Sequence, residues 1–210
     1  MCWCVALREY LKVGAEFCGW KTIRDIYEAA KGNRNKLLIL SLMKTGGRIS
    51  EVLDLTKSSI DYKTSERCII VRNMRVGKKW YREKGKSITM NVTRSIPVLR
   101  SEELSDEWLD LVKRSRYQVM CYGRSVTKPM TRITAYGIVT ATGRRVGVRV
   151  TDHWFRGMRA SQLAEQYGFG VYDLNQYFGW GPRNPRSMAE HYASLGWRGL
   201  EQRMLRSGAL

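Results

Sequence analysis

Hydrophobic positions recur along this chain at two different spacings, and the changes of spacing divide it into regions. Leu7, Tyr10 and Leu11, then Ile23, Ile26 and Tyr27, lie three or four residues apart and predict N-terminal helices over about residues 1–36. The run LLILSLM (residues 37–43) predicts a strongly apolar helix, capped by Asn33 or Asn35 and ended by Thr45, Gly46 and Gly47. A short helix over RISEVLDL (residues 48–55) follows at once. From Cys68 to Leu99 the chain turns to β-branched and basic residues, which predict a long two-stranded ribbon with its tip around Glu83 to Lys86. Helical spacing then returns. Ser101 or Ser105 opens one helix, Thr131 another and Thr151 or Asp152 a third, while Pro129, Pro182 and Pro185 fall between the patterns. Neither an internal repeat nor a clear linker is visible. The pattern predicts a mainly helical α+β domain with one small antiparallel sheet, a description that many folds satisfy.

Charge narrows the partner more than the fold. Lysine and arginine number 37 against 19 for aspartate and glutamate, a formal charge of +18. Such an excess costs self-repulsion and suits a polyanion, nucleic acid ahead of an anionic membrane. No apolar run is long enough to span a bilayer and the first residues lack the build of a signal peptide. These features favour nucleic acid and a cytoplasmic, nucleoid-associated location. Cys2, Cys4, Cys18, Cys68 and Cys121 are odd in number and lack metal-finger spacing, which predicts free or buried thiols and no zinc site.

Candidate chemistry lies in three segments: TGGRISEVLDL (45–55), TDHWFRGMRASQLAEQYG (151–168) and YFGWGPRNPRSMAEHYAS (177–194). They contain Arg48, His153, Arg156, Trp180, His191 and Tyr192. Two arginines present planar forks that can hold the non-bridging oxygens of one phosphate and neutralise charge in a five-coordinate transition state. His153 and Arg156, three apart, share a helix face and could address the same phosphate. A tyrosine can attack phosphorus in line, but its hydroxyl, with a pKa of about 10, needs nearby cations or a base. Taken singly, each residue has an ordinary structural explanation: Arg48 a helix-start arginine, His153 a hydrogen-bonded helix residue, Trp180 core, Tyr192 one of 11 tyrosines.

In order and spacing these residues resemble the tyrosine recombinase, or phage integrase, family. Its first box, T-G-x-R-x-S-E-x-x-x-L, is matched by Thr45, Gly46, Arg48, Ser50, Glu51 and Leu55. Its second box, H-x-x-R, is matched by His153 and Arg156, and its third region by Gly179, Trp180 and the later Tyr192. The resemblance spans residues from about 37 to 194. It implies an integrase-like DNA breaking-rejoining fold and a site-specific recombinase that cleaves and rejoins strands through a covalent 3′-phosphotyrosine at Tyr192. It also implies that the reaction needs no metal or other cofactor. Arg48 and Arg156 would bind the scissile phosphate, His153 would move protons, Trp180 would position the phosphate, and Glu51 would orient the arginines.

A lysine at the ribbon tip would protonate the departing 5′ oxygen. If Ile69 and Ile70 pair opposite Ile96 and Pro97, Lys84 is the best candidate, with Lys86, Lys79 and Lys78 open. Implied partners are a double-stranded attachment site and further copies of the chain in a tetramer on DNA. Trp197, Leu200 and Met204, in a tail over about residues 196–210, form an apolar stripe suited either to a neighbouring copy or to its own domain. The whole of 1–210 reads as one catalytic domain. With 47 residues ahead of Arg48, no separate core-binding domain is expected.

The chain departs from the family pattern in two places. Gly157 stands where many members have a second histidine, and the spacer WGPRNPRS sets Tyr192 far from Trp180. Such extended spacing is similar to that of archaeal mobile-element integrases, which implies a plasmid or virus source. A type IB topoisomerase would use the same chemistry without strand exchange, and an inactive relative would use the basic face for binding alone. The TG-x-RISE box favours the integrase, and the intact set of Arg48, His153, Arg156 and Tyr192 argues against inactivity.

Overall fold

The computed structural model describes residues 17–83, 86–115, 120–124, 127–179 and 197–206, with backbone alone at 76–83, 86–92, 197–200 and 203. Its elements run α1 (Gly19–Ala29), α2 (Asn33–Thr45), α3 (Ile49–Leu53), a 3-10 turn (Lys57–Ser59), β1 (Ile60–Asp61), β2 (Cys68–Glu83) and β3 (Lys86–Leu99). Helices α4 (Ser105–Arg114), α5 (Arg132–Arg145), α6 (Asp152–Tyr167), α7 (Val171–Phe178) and α8 (Trp197–Arg206) follow. The expected α+β architecture, mainly helical with a small antiparallel sheet, is the one observed.

Helix α2 is the centre of the molecule. Every residue from Leu37 to Thr45 is buried, and a helix apolar on all sides is stable only when others surround it. Helices α1, α3, α4, α5 and α6 all pack on it. Neither candidate asparagine caps it. Gly32, at φ 78°, turns the chain in and its carbonyl accepts the N–H groups of Asn35 and Lys36, so Asn33 is the first helical residue.

The other helix starts follow their polar residues closely. Thr131 Oγ1 accepts Thr134 N–H at 3.1 Å and Thr151 Oγ1 accepts Trp154 N–H at 3.1 Å, which makes these threonines the caps of α5 and α6. Helix α4 begins at Ser105 rather than Ser101. The Ser105 hydroxyl donates to the Leu99 carbonyl at 2.8 Å and accepts from Lys44, which ties the helix start into the core.

The sheet has the order β1-β2-β3, all antiparallel. Its register differs by one residue from expectation at the base: Ile69 pairs with Val98 and Ile70 with Pro97. Two irregularities, between Val71 and Met74 and between Arg75 and Gly77, then shift the pairing, and Glu83 pairs with Lys86. Asn73, at φ 58°, supplies the left-handed residue that the first bulge needs. At the base, Cys68, Ile69, Ile70 and Val71 are buried in succession, which requires cover on both faces. Helices supply one cover. Helix α8 supplies the other, packing on β3 with Met204 fully buried and Glu201 accepting the Ser65 hydroxyl at 2.6 Å. The described part of the tail therefore lies against its own domain. Among the described residues no helix is long and apolar enough to cross a membrane.

Candidate active site

Helix α2 ends in a tight reversal that places Arg48. Gly46 is left-handed at φ 56°, and its N–H bonds the Leu42 carbonyl at 2.9 Å. Thr45 Oγ1 donates to the Ser41 carbonyl and accepts Gly47 N–H at 3.0 Å, so the threonine hydroxyl closes the turn. Neither glycine has room for a side chain. A Cβ on Gly46 would stand 2.5 Å from the Phe178 ring, and one on Gly47 2.8 Å from Met74. Arg48 then takes the N-cap position of α3, where Glu51 accepts its backbone N–H at 3.0 Å.

Glu51 is the hub of the site. Its Oε1 accepts Arg48 Nη1 at 2.7 Å, its Oε2 accepts Arg94 Nη2 at 3.1 Å, and Arg156 Nη1 stands 3.9 Å from the same Oε2. Burial alone would raise the Glu51 carboxyl, but the charges and bonds of Arg94 and Arg48 outweigh it and hold the group below its usual range. Arg156 donates to the carbonyls of Gly46 at 2.7 Å and Phe178 at 3.1 Å, and lies over the Phe178 ring. Burial is the main cause pushing Arg156 down to about 9, with Glu51 opposing and Arg48 and Arg94 assisting, so it stays charged at neutral pH. Arg48 is 44% exposed, whereas Glu51, Arg94 and Arg156 are buried. One guanidinium thus faces solvent above two that do not.

Beneath this cluster lies a second buried ionic group. Glu102 takes Arg159 Nη1 at 2.7 Å, Lys44 Nζ at 2.9 Å and the Tyr167 hydroxyl at 3.1 Å. Arg159 Nε also donates to the Tyr177 hydroxyl, which donates in turn to the Lys44 carbonyl at 3.0 Å. This group links the end of α2, helix α6 and helix α7. Those segments carry Gly46, Arg156 and Phe178.

Of the expected site residues, Arg48, Glu51 and Arg156 are brought together. His153 lies one turn before Arg156 on α6, exposed and with no hydrogen bond to a described residue. Lys84, Trp180, His191 and Tyr192 lie outside the described residues. Lys78, Lys79 and Lys86 are on the ribbon strands, with Lys86 paired to Glu83. The residue before Trp180, Gly179, is the left-handed cap of α7, immediately after the Phe178 carbonyl that Arg156 holds. Arg94 was not anticipated. Alternation gives no signal for it, since Ile96, Pro97, Val98 and Leu99 are all buried; its trace is only a charge two residues before an apolar run covered on both faces. Lys44, Glu102 and Arg159 left no comparable trace, since each finds its partner far along the chain.

Comparison with known proteins places this architecture. Transposase A from transposon Tn554 of Staphylococcus aureus is 23% identical over 146 residues, 70% of this chain and 40% of the transposase, so the chain spans less than half of that relative. The crystal structure of XerA recombinase superposes with a TM-score of 0.54 and 18% identity, covering 92% of this chain and 64% of XerA. The integrase of transposon Tn1549, in complex with transposon right-end DNA, gives 0.55 at 17% identity over 91% of this chain and 65% of the integrase. XerH site-specific recombinase bound to its difH substrate gives 0.54 at 16% identity over 81% of this chain and 50% of XerH. Together they share the fold of a tyrosine recombinase catalytic domain. The family pattern itself matches from residue 20 to residue 195, and the chain belongs to the phage integrase family.

Proposed function

We propose that this chain is a site-specific DNA recombinase that cleaves and rejoins DNA strands through a covalent bond between Tyr192 and a 3′ phosphate, without a metal ion. The observation that carries this is the gathering of Arg48, Arg94 and Arg156 around the single carboxylate of Glu51, with Arg48 open to solvent. Such a cluster is short of negative charge and offers planar donors, a fit for a phosphodiester. It also offers no free carboxylate for a cation, since both oxygens of Glu51 are taken by arginines.

In the proposed reaction Arg48 and Arg156 hold the non-bridging oxygens of the scissile phosphate. The Tyr192 oxygen attacks phosphorus as its proton passes to His153 or solvent, forming the phosphotyrosine bond. The bond from phosphorus to the 5′ oxygen breaks, and that oxygen takes a proton from a ribbon lysine, Lys84 first and Lys86 next. Trp180 donates its indole N–H to the phosphate. Rejoining runs the same steps backwards with a different 5′ hydroxyl. The partners are duplex DNA and other copies of the chain, four acting together on two sites. A topoisomerase-like enzyme would reseal the original strand, and an inactive relative would bind without cleaving.

The test uses a pool of nicked duplexes of randomised sequence. Wild type should form a protein–DNA adduct that survives denaturation, Tyr192→Phe should form none, and the trapped DNA should share a sequence. Arg48→Ala and Arg156→Ala should slow adduct formation on the order of 10²–10³-fold, the usual cost of one preorganised donor. An adduct from Tyr192→Phe, or a wild-type rate in Arg156→Ala, would refute the mechanism. Relaxation of supercoiled plasmid without strand exchange would favour the topoisomerase outcome.

A further inference from the structure

We propose that Arg94 is a positioning residue of the phosphate site, engaging Glu51 so that this carboxylate does not capture Arg156. The proposal rests on the assignment of Arg48 and Arg156 as the groups that hold phosphate. Glu51 Oε2 accepts the Arg48 backbone N–H at 3.0 Å and Arg94 Nη2 at 3.1 Å, which leaves Arg156 Nη1 at 3.9 Å, outside hydrogen-bond range. Arg156 donates to the Gly46 and Phe178 carbonyls instead. Were Arg94 removed, Glu51 Oε2 would keep the Arg48 backbone N–H but lose its guanidinium partner, and the buried guanidinium standing beside it is that of Arg156, with Nη1 at 3.9 Å. A charge-assisted bond to a buried carboxylate is stronger than one to a neutral carbonyl, so Arg156 would swing toward Glu51 and turn its fork away from a bound phosphate.

Arg94 also adds to an excess of positive charge, since it shares the one carboxylate of Glu51 with Arg48 and Arg156. Its side chain is 8% exposed, and its Nε and Nη1 are buried with no acceptor among the described residues. A buried cation with unused donors is costly, and the cost is offset when an anion arrives beside it. With its donors closed off from solvent, Arg94 acts through Glu51 and through its field rather than by touching the phosphate.

Inorganic phosphate is the probe, added to the full chain at constant ionic strength, with affinity read from the phosphate-dependent rise in Tm. Arg94→Gln and the apolar, similarly long Arg94→Met should each weaken phosphate binding on the order of 10- to 100-fold, while Arg94→Lys should retain most of it. Adding Glu51→Gln to Arg94→Gln should restore part of the loss, because a neutral amide does not capture Arg156. That coupling is what a double-mutant cycle isolates from a merely structural defect. Phosphate affinity unchanged in Arg94→Met, or a double variant that loses the product of the two single losses, would overturn the proposal. Failure of the underlying assignment would show elsewhere, as Arg48→Ala and Arg156→Ala that bind phosphate like wild type.

Discussion

Glu102 is the carboxylate on which two fully buried cations depend. Its carboxylate is 1% exposed and is the acceptor shared by Arg159 and Lys44, both themselves fully buried. Removing its charge leaves two cations without a counter-ion in the core. Breaking a buried pair in this way costs about 3–5 kcal/mol, so Glu102→Gln should lower stability by an amount of that order in denaturant unfolding. The same carboxyl sets an acid limit. Burial alone would raise it, but Arg159 and Lys44 hold it down at about 2, against 4.5 for an ordinary glutamate. Because the folded value is depressed, the unfolded chain takes up the proton first. Its contribution is fully present above pH 4.5 and lost as pH falls toward 2. Tm measured across that window should fall more steeply for wild type than for Glu102→Gln, and parallel curves would remove Glu102 as the cause. None of this could be read from the sequence. Arg48, Glu51 and Arg156 could be picked out as candidates because their order and spacing resemble the family's boxes, whereas Glu102 meets Arg159 only through the packing of α6 against α2.

At the scale of elements, the turn after α2 couples backbone strain to the site. Gly46 and Gly168 are both left-handed helix caps, at φ 56° and 62°, yet a Cβ on Gly168 would meet nothing within 4 Å. Gly168→Ala should therefore cost only the backbone term, about 1–2 kcal/mol, and leave adduct formation unchanged. Gly46→Ala adds a clash with the Phe178 ring at 2.5 Å, and Phe178 is the residue whose carbonyl holds Arg156. Stability should fall further and adduct formation should fall with it. Equal behaviour of the two variants would separate the turn from the chemistry. Helix ends of this kind were legible because glycine and threonine announce them. The ribbon was legible in outline only. Alternation cannot reveal a bulge, and the left-handed Asn73 together with two register shifts decides which residues face each other toward the tip.

For the whole molecule the dominant fact is a charge of +18, of which the Glu51 cluster accounts for a small part. Arg132, Arg144, Arg145 and Arg149 are exposed along α5 and the segment after it, and Arg48 is half exposed. A surface of this kind should bind duplex DNA by displacing counterions, which makes affinity fall linearly with the logarithm of salt concentration. Neutralising about six to ten phosphates would weaken binding roughly 10³–10⁵-fold between about 50 and 200 mM salt, with a slope of about −5 or steeper. Titrating a fluorescent random-sequence duplex at several potassium chloride concentrations measures that slope. Arg132→Ala should reduce it by about one if that side chain contacts a phosphate, without affecting the adduct rate at saturating DNA. Arg156→Ala should also lower the slope by about one, for the single phosphate it is proposed to hold, but adduct formation should collapse even at saturating DNA, which separates the scissile contact from the peripheral ones. A slope near zero would mean that the excess charge serves something other than DNA. The phosphate site would then have to hold its substrate without long-range attraction, on the strength of Arg48, Arg94 and Arg156 alone.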